Sequence, residues 1–152
     1  MQSRREFLNH SAKVAMLLSA SAAVPGLALA AWDAPAFEAK SLADVVKALS
    51  GGAPAESKDV TLTGPDIAEN GAVVPIGVST SLPGVKRLLL LVEKNPNALA
   101  AMFDVSDAVE PNFSTRVKMG QSSNVYAVAL TADGKALFAT KEIKVTLGGC
   151  GG

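Results

Sequence analysis

The chain has 152 residues, with 14 Lys and Arg against 14 Asp and Glu, so its formal net charge is zero. Apolar residues make up 49% and charged ones 18%, which is enough for the core of one domain and rules out a disordered chain. The charges are interspersed, which argues against a nucleic-acid-binding or acidic tail. One Cys and one His exclude the ligand clusters that zinc frameworks, heme attachment and most other metal sites need.

Residues 1–30 read as an export address. Ser3-Arg4-Arg5-Glu6-Phe7-Leu8 is a paired-arginine signature followed by Phe-Leu. A mildly apolar stretch runs from Val14 to Leu29, is broken by Pro25 and Gly26, and ends in the small-x-small site Ala28-Leu29-Ala30. The alternative is an N-terminal membrane anchor. A spanning helix wants about 20 strongly apolar residues, whereas this stretch is shorter, rich in Ala and Ser, and carries a proline. A cleaved twin-arginine signal with Arg4 and Arg5 at its head is therefore expected, and with it a periplasmic protein that has no membrane attachment after cleavage. Cleavage would remove Arg4, Arg5, Lys13, Glu6 and His10, leaving 11 basic and 13 acidic residues, a net charge of −2 and no histidine. Without histidine, neither a Ser-His-Asp nor a Cys-His mechanism is available. No GxGxxG or GxxxxGK[ST] motif is present either.

Residues 31–57 form a lead and a short helix. Ser41-Leu42-Ala43-Asp44 resembles a capping box with Asp44 in place of the usual Glu or Gln. Leu42, Val45, Val46 and Leu49 recur at helical spacing, and Gly51-Gly52 stops the run, so a helix is predicted over roughly 41–50. It covers an end or edge of the domain, or else it meets a partner.

Residues 58–147 change to period two. Strands are expected at Asp59–Thr63, Val74–Ser79, Val85–Lys94, Ala101–Val105, Ser114–Met119, Ser123–Thr131 and Leu137–Leu147. Pro75 cannot donate to a ladder, so its strand should be an edge or bulged there. Leu88 to Val92 reads as buried on both faces. Asp133-Gly134 signals a hairpin turn. No helix after residue 58 is long enough for a βαβ crossover. The expected fold is all-β, an antiparallel immunoglobulin-like sandwich of about seven strands, with a short N-terminal helix and no inter-sheet disulfide.

Residues 148–152 are the most specific part of the sequence. The chain ends Gly148-Gly149-Cys150-Gly151-Gly152, with the only thiol three residues from the end. Glycines offer no side chains to bury that thiol, and they have the greatest backbone freedom. A mobile, thin carrier arm is expected, with a reach of roughly 10 Å from Leu147 to Cys150 at about 3.3–3.6 Å per residue. The reactive form is the thiolate, and no histidine is available to generate it. Activation would have to come from other proteins into whose sites the arm is inserted. Cys150 is thus read as a covalent attachment point and not as a catalytic residue, with no cofactor and no metal. An accidental tail cysteine would be a liability in an oxidizing compartment. Pairing of two copies through Cys150 into a disulfide homodimer is a further possibility for a single exposed thiol.

The paired-arginine signal, the small β domain and the terminal Gly-Gly-Cys-Gly-Gly resemble the SoxY family, the sulfur-carrier subunits of bacterial thiosulfate oxidation. The segments Ala68-Glu69-Asn70-Gly71-Ala72-Val73-Val74-Pro75, Leu91-Val92-Glu93-Lys94-Asn95-Pro96 and Ser114-Thr115-Arg116-Val117-Lys118-Met119-Gly120 are also similar to that family's. The resemblance implies that Cys150 carries the sulfur. It implies a heme partner, SoxAX, that couples thiosulfate to Cys150, and a hydrolase, SoxB, that releases sulfate. Where present, a sulfur dehydrogenase, SoxCD, oxidizes the remaining sulfane. It also implies a heterodimer with a second small β protein, SoxZ, and a chain that is not itself an enzyme. Two other readings remain. One is a ubiquitin-like carrier using the Gly152 carboxylate, which would need ATP-dependent activation that an exported protein lacks. The other is a structural sandwich crosslinked through Cys150.

Overall fold

The computed structural model of the chain describes residues 33–147. Two short helices come first. Helix α1 (Ala34–Glu38) carries Pro35 in its first turn, where a missing N–H costs nothing. At five residues it is too short to show a periodic signal, and the sequence reading passed over it as part of the lead. Helix α2 (Leu42–Ala48) lies within the expected 41–50. Its cap forms as the sequence suggested, with Asp44 N–H donating to Ser41 Oγ at 3.2 Å. The Asp44 carboxylate accepts from the Ser41 hydroxyl at 2.6 Å. The helix closes with paired bonds from Ser50 N–H to Lys47 C=O and from Gly51 N–H to Val46 C=O. The left-handed residue in that closure is Ser50, at φ 59°. Gly51 serves a different need, because a Cβ there would sit 2.6 Å from Val46 Cγ1.

Nine strands follow: β1 (Pro54–Glu56), β2 (Val60–Thr63), β3 (Ile67–Asn70), β4 (Val74–Thr80), β5 (Val85–Val92), β6 (Leu99–Asp104), β7 (Asn112–Val117), β8 (Ser123–Thr131) and β9 (Ala136–Leu147). They make two sheets. The larger runs β1-β9-β8-β5-β6 with β3 also on β9, and the smaller is β2-β4-β7. The expected seven strands are all present and pair antiparallel with one another. The two additional ones, β1 and β3, pair parallel with opposite halves of the outer edge of β9. They are three and four residues long and contain Pro54, Glu56 and Glu69, so no alternation marks them. The all-β sandwich therefore stands, with two short parallel pairings added to an antiparallel frame.

The core has two layers, one on each side of the larger sheet. Between the sheets lie Leu88, Leu90 and Val92 with Val74, Ile76, Val78, Val125 and Ile143. On the outer face, Leu89 and Leu91 pack with Val45, Val46, Ala36 and Val128. This accounts for Leu88–Val92, every one of which is 0% exposed. The second sheet covers one side and the helices cover the other. The helical segment thus shields a sheet face, where the sequence reading had placed it at an end or edge or against a partner. Lys40 Nζ fastens the segment by donating to Pro96 C=O at 2.6 Å and Asn97 Oδ1 at 2.7 Å. Arg87 adds ion pairs to Asp33 and Asp104.

Pro75 sits in the middle strand of the smaller sheet, yet β2 pairs with β4 only from Gly77 to Thr80. At Pro75 only β7 is paired, through Arg116. The proline occupies the one stretch of β4 whose other flank is open, which is how a residue without an N–H fits a central strand.

Candidate functional site

The site has to be built outward from the end of β9, the strand that leads to the lone thiol. Cys150 and its glycines Gly148, Gly149, Gly151 and Gly152 lie outside the described residues, as do Arg4 and Arg5. Leu147 is the last described residue, and backbone bonds hold its position. Its C=O accepts from Gly71 N–H at 2.8 Å, and Gly71 C=O accepts in turn from Met119 N–H at 2.7 Å. One residue earlier, Thr146 Oγ1 donates to Glu69 C=O at 3.1 Å. Val145 N–H donates to Ser122 Oγ at 2.9 Å. Lys144 N–H donates to Asp66 C=O at 3.0 Å.

The loops that receive these bonds are themselves fixed. Asn70 Oδ1 accepts from Ala72 N–H at 2.8 Å, an Asx turn that sets the path between β3 and β4. Asn95 Nδ2 donates to Lys118 C=O at 2.7 Å, tying the β5–β6 turn to the loop after β7. Lys94 N–H donates to Ser123 Oγ at 3.0 Å. The three segments that resemble the SoxY family, 68–75, 91–96 and 114–120, all contribute to this network around the end of β9. Sequence reasoning singled them out without assigning them a job. Their bonds are long-range pairings of backbone and small polar groups, which no local spacing reveals.

Charge around this end is modest. Lys141 Nζ pairs with Asp66 at 2.8 Å and also donates to Gly64 C=O at 2.6 Å. That lysine holds the Asp66 carboxyl below its ordinary range by hydrogen bonding and by charge. Tyr126 has its phenol pushed up, first by burial and then by the neighboring Glu93 carboxylate. No Cys–His or Ser–His pair can be drawn among the described residues, which contain neither His nor Cys. Among them no group of three or more His, Cys, Asp or Glu is placed to hold a metal ion. No helix among them is long and apolar enough to cross a membrane.

Among the described residues, a groove of about 480 Å³ opens on the smaller sheet where β2 leaves β4. Its lining includes Thr63, Gly64, Pro75, Gly77, Ser114 and Arg116.

The fold and this strand end define a small all-β sandwich protein whose last strand is anchored at its tip and continues into a glycine-flanked thiol. The family described as sulfur oxidation protein SoxY matches residues 46–150, so the chain belongs to the SoxY family. The structure of the sulfur carrier protein SoxY from Chlorobium limicola f thiosulfatophilum is similar, at 35% identity and a TM-score of 0.62 over 68% of this chain and 94% of that one. A superoxide reductase (neelaredoxin) from Ignicoccus hospitalis is similar at 20% identity and a TM-score of 0.51, over 57% of this chain and 79% of that one. That second likeness speaks to the fold alone. No curated protein matches the chain.

Proposed function

We propose that this chain is a covalent sulfur carrier of periplasmic thiosulfate oxidation, with Cys150 as the attachment point and no catalytic activity of its own. The observation that carries the reading is that the match to the SoxY family runs through residue 150 and so includes the only cysteine of the chain. The anchored end of β9 supports it, because a carrier needs a fixed base from which its thiol is presented.

The chemistry is simple at Cys150 and demanding elsewhere. Loading joins the Cys150 sulfur to the outer sulfur of thiosulfate and gives an S-thiosulfonate. One proton and two electrons leave, and the electrons go to a heme partner of SoxAX type. Hydrolysis by a SoxB-type partner then breaks the bond between the sulfonate and its neighboring sulfur. Water supplies the oxygen, sulfate departs with a proton released, and a persulfide remains on Cys150. A SoxCD-type dehydrogenase, where present, oxidizes that sulfane, and a last hydrolysis restores the thiol. Glycines 148, 149, 151 and 152 leave the thiol unshielded for each partner. A SoxZ-type β protein completes the heterodimer. Export through the Arg4-Arg5 signal carries the folded pair, since the mature sequence offers no cluster of cofactor ligands whose filling would demand folding first.

The test is the intact mass of protein purified from thiosulfate-grown cells, before and after reductant. Reductant-labile sulfur adducts on Cys150, absent from Cys150→Ser, are expected. Cys150→Ser should lose all carrier function while folding and partner binding persist. Sulfur found on the Gly152 carboxylate would overturn the assignment, as would a permanent disulfide with no adduct.

A further inference from the structure

We infer that Asn70-Gly71, at the turn out of β3, is a self-modification site that the tip of β9 keeps silent. When the tip lets go, Asn70 loses its side-chain amide as ammonia and becomes an acid, and the anchor of Leu147 weakens in turn.

The sequence supplies the chemistry. Asn70-Gly71 is the only Asn-Gly pair in the chain. A backbone nitrogen that follows an asparagine can attack that residue's side-chain carbonyl and close a five-membered imide. Glycine makes this easiest, because it has no Cβ to crowd the approach and the greatest backbone freedom. The Gly71 nitrogen gives up its proton, a bond forms from that nitrogen to Asn70 Cγ, and the bond from Cγ to Nδ2 breaks. Nδ2 takes up the proton and departs as ammonia. Water then opens the imide at one of its two carbonyls. Opening at Cγ leaves an ordinary aspartate. Opening at the main-chain carbonyl leaves an isoaspartate, in which the chain runs on through Cγ and is one atom longer. Water is the only co-reactant.

The structure sets two conditions on that attack. The first is met. Asn70 is exposed, and its Oδ1 accepts from Ala72 N–H at 2.8 Å, which folds the side-chain amide across the Gly71 peptide it would react with. The second is not met while the tip of β9 is in place. Gly71 is buried, and its N–H donates to Leu147 C=O at 2.8 Å. A buried and bonded N–H neither gives its proton to hydroxide nor turns its nitrogen toward Asn70 Cγ. The lock is thus a bond to the last described residue of β9, whose own side chain is largely exposed. A strand end held by hydrogen bonds with little burial opens far more readily than the whole domain. Each opening bares the nitrogen.

The product acts back on the lock. Asn70 pairs with Leu147 in the β3–β9 register. An extra main-chain atom at residue 70 displaces Gly71 from Leu147 C=O and from Met119 N–H, both of which it meets at hydrogen-bond distance. The new carboxylate also stands next to Glu69 in the chain, adding like charge there. The isoaspartate form therefore holds the end of β9 more loosely than the parent chain does. Asp133-Gly134, the one Asp-Gly pair, is a weaker candidate for the same ring closure. Lys135 and Thr131 keep its carboxyl ionized, and a carboxylate is a poor target for a nucleophile.

The experiment ages the full chain from residue 31 in warm, mildly alkaline buffer. Peptide mass spectrometry follows Asn70, with electron-transfer fragmentation to separate aspartate from isoaspartate. Hydrogen exchange at Gly71 N–H is measured in parallel, since the same opening governs both. The chain unfolded in urea gives the unlocked rate. Ser122→Ala combined with Thr146→Val removes two bonds of the β9 tip, from Val145 N–H and to Glu69 C=O, and touches neither Asn70 nor Gly71. A dispersed amide spectrum reports that this variant is folded. The unfolded chain should deamidate many-fold faster than the folded parent. The double variant should deamidate several-fold faster than the parent, in step with faster exchange at Gly71. The isolated isoaspartate form should exchange faster at Gly71 and Met119 N–H than Asn70→Asp, which keeps the ordinary main chain. Equal rates in the folded and unfolded parent would overturn the proposal, because no lock would exist. A double variant that deamidates at the parent rate would overturn it too, since the tip of β9 would not be what holds Gly71. An isoaspartate form that exchanges as slowly as Asn70→Asp would overturn the return effect on the strand.

Discussion

Strands β5 and β9 both pair with β8, one on each side, yet they are held by opposite means. Leu88–Val92 of β5 are 0% exposed and gripped by apolar side chains on both faces. The last turn of sequence in β9 keeps only Ile143 fully buried, while Leu147 is 66% exposed. Its outer edge is occupied by two short parallel strands, and its tip is fixed by a hydrogen bond donated by Gly71 N–H and by bonds that it donates to Ser122, Glu69 and Asp66. Packing is non-directional and scales with buried area. Hydrogen bonds contribute less but fix direction. The sandwich therefore draws its stability from β5, and at the end of β9 it spends few contacts on burial and several on aim. That division suits the proposed carrier role, in which the strand presents a terminal segment to other proteins.

The strongest way to break this contrast is to cut one methyl-rich side chain from each strand. Leu90→Ala should destabilize the domain by about 3 kcal/mol, within the 2–5 kcal/mol typical of buried leucines, and lower the thermal midpoint by on the order of 10 °C. Leu147→Ala, at an exposed position, should stay within about 0.5 kcal/mol. Calorimetry or thermal circular dichroism reads both. Equal losses at the two positions would show that the end of β9 is packed after all, against a surface the described residues do not include.

A smaller effect sharpens the second half of the contrast. Ser122→Ala removes the acceptor for Val145 N–H and should cost about 1 kcal/mol. Its signature is local: amide exchange at Val145 and its neighbors should quicken, while exchange in β5 follows the global change alone. Unaltered exchange at Val145 would mean that water or a neighboring group replaces the hydroxyl, and that aim does not depend on it.

What could be read in advance divides along the same line. The burial of Leu88–Val92 was legible because five apolar residues in a row leave no polar face. The identity of the outer cover was not, since α1 is too short to show a period and α2 alone does not say which surface it meets. Pro75 was read as an edge or a bulge. It is a central residue with one open flank, because β2 stops at Thr63, and strand length in a neighbor leaves no mark on Pro75 itself. Cys150 and its glycines stand out in the sequence, since no other residue of the chain offers a thiol, and they lie outside the described residues. The fastening of Leu147 to Gly71 was not, because it joins positions 76 apart through backbone groups that every residue possesses. Arg116 stands in the sequence only as part of a stretch that resembles the SoxY family, and its groove depends on a sheet boundary that the sequence does not mark.

The smallest expected effect lies at the other end of β9, where the strand begins. Asp133 and Gly134 make the turn from β8, with Gly134 at φ 82° and its N–H donating to Thr131 C=O at 3.0 Å. The Asp133 carboxylate pairs with Lys135 Nζ at 2.6 Å and accepts from the Thr131 hydroxyl. Lys135 and then Thr131 hold the Asp133 carboxyl down at about 2, from an ordinary 3.8. A carboxyl depressed by folding adds stability above its unfolded value and loses it as pH falls through its folded one. The contribution of Asp133 should thus be complete above pH 3.8, decline between there and about 2, and vanish below. The pair is exposed, so screening keeps the effect small and salt should weaken it further. Asp133→Asn should lower the midpoint at neutral pH by less than Ser122→Ala does, and the gap to the parent chain should close as pH approaches 2. Carboxyl carbon NMR tests the cause directly: the Asp133 resonance should titrate near 2, and Lys135→Ala should move it toward 3.8. A titration at the ordinary value in the parent chain would mean that glycine geometry alone forms this turn. The charged pair would then add nothing to the start of the strand that leads toward Cys150.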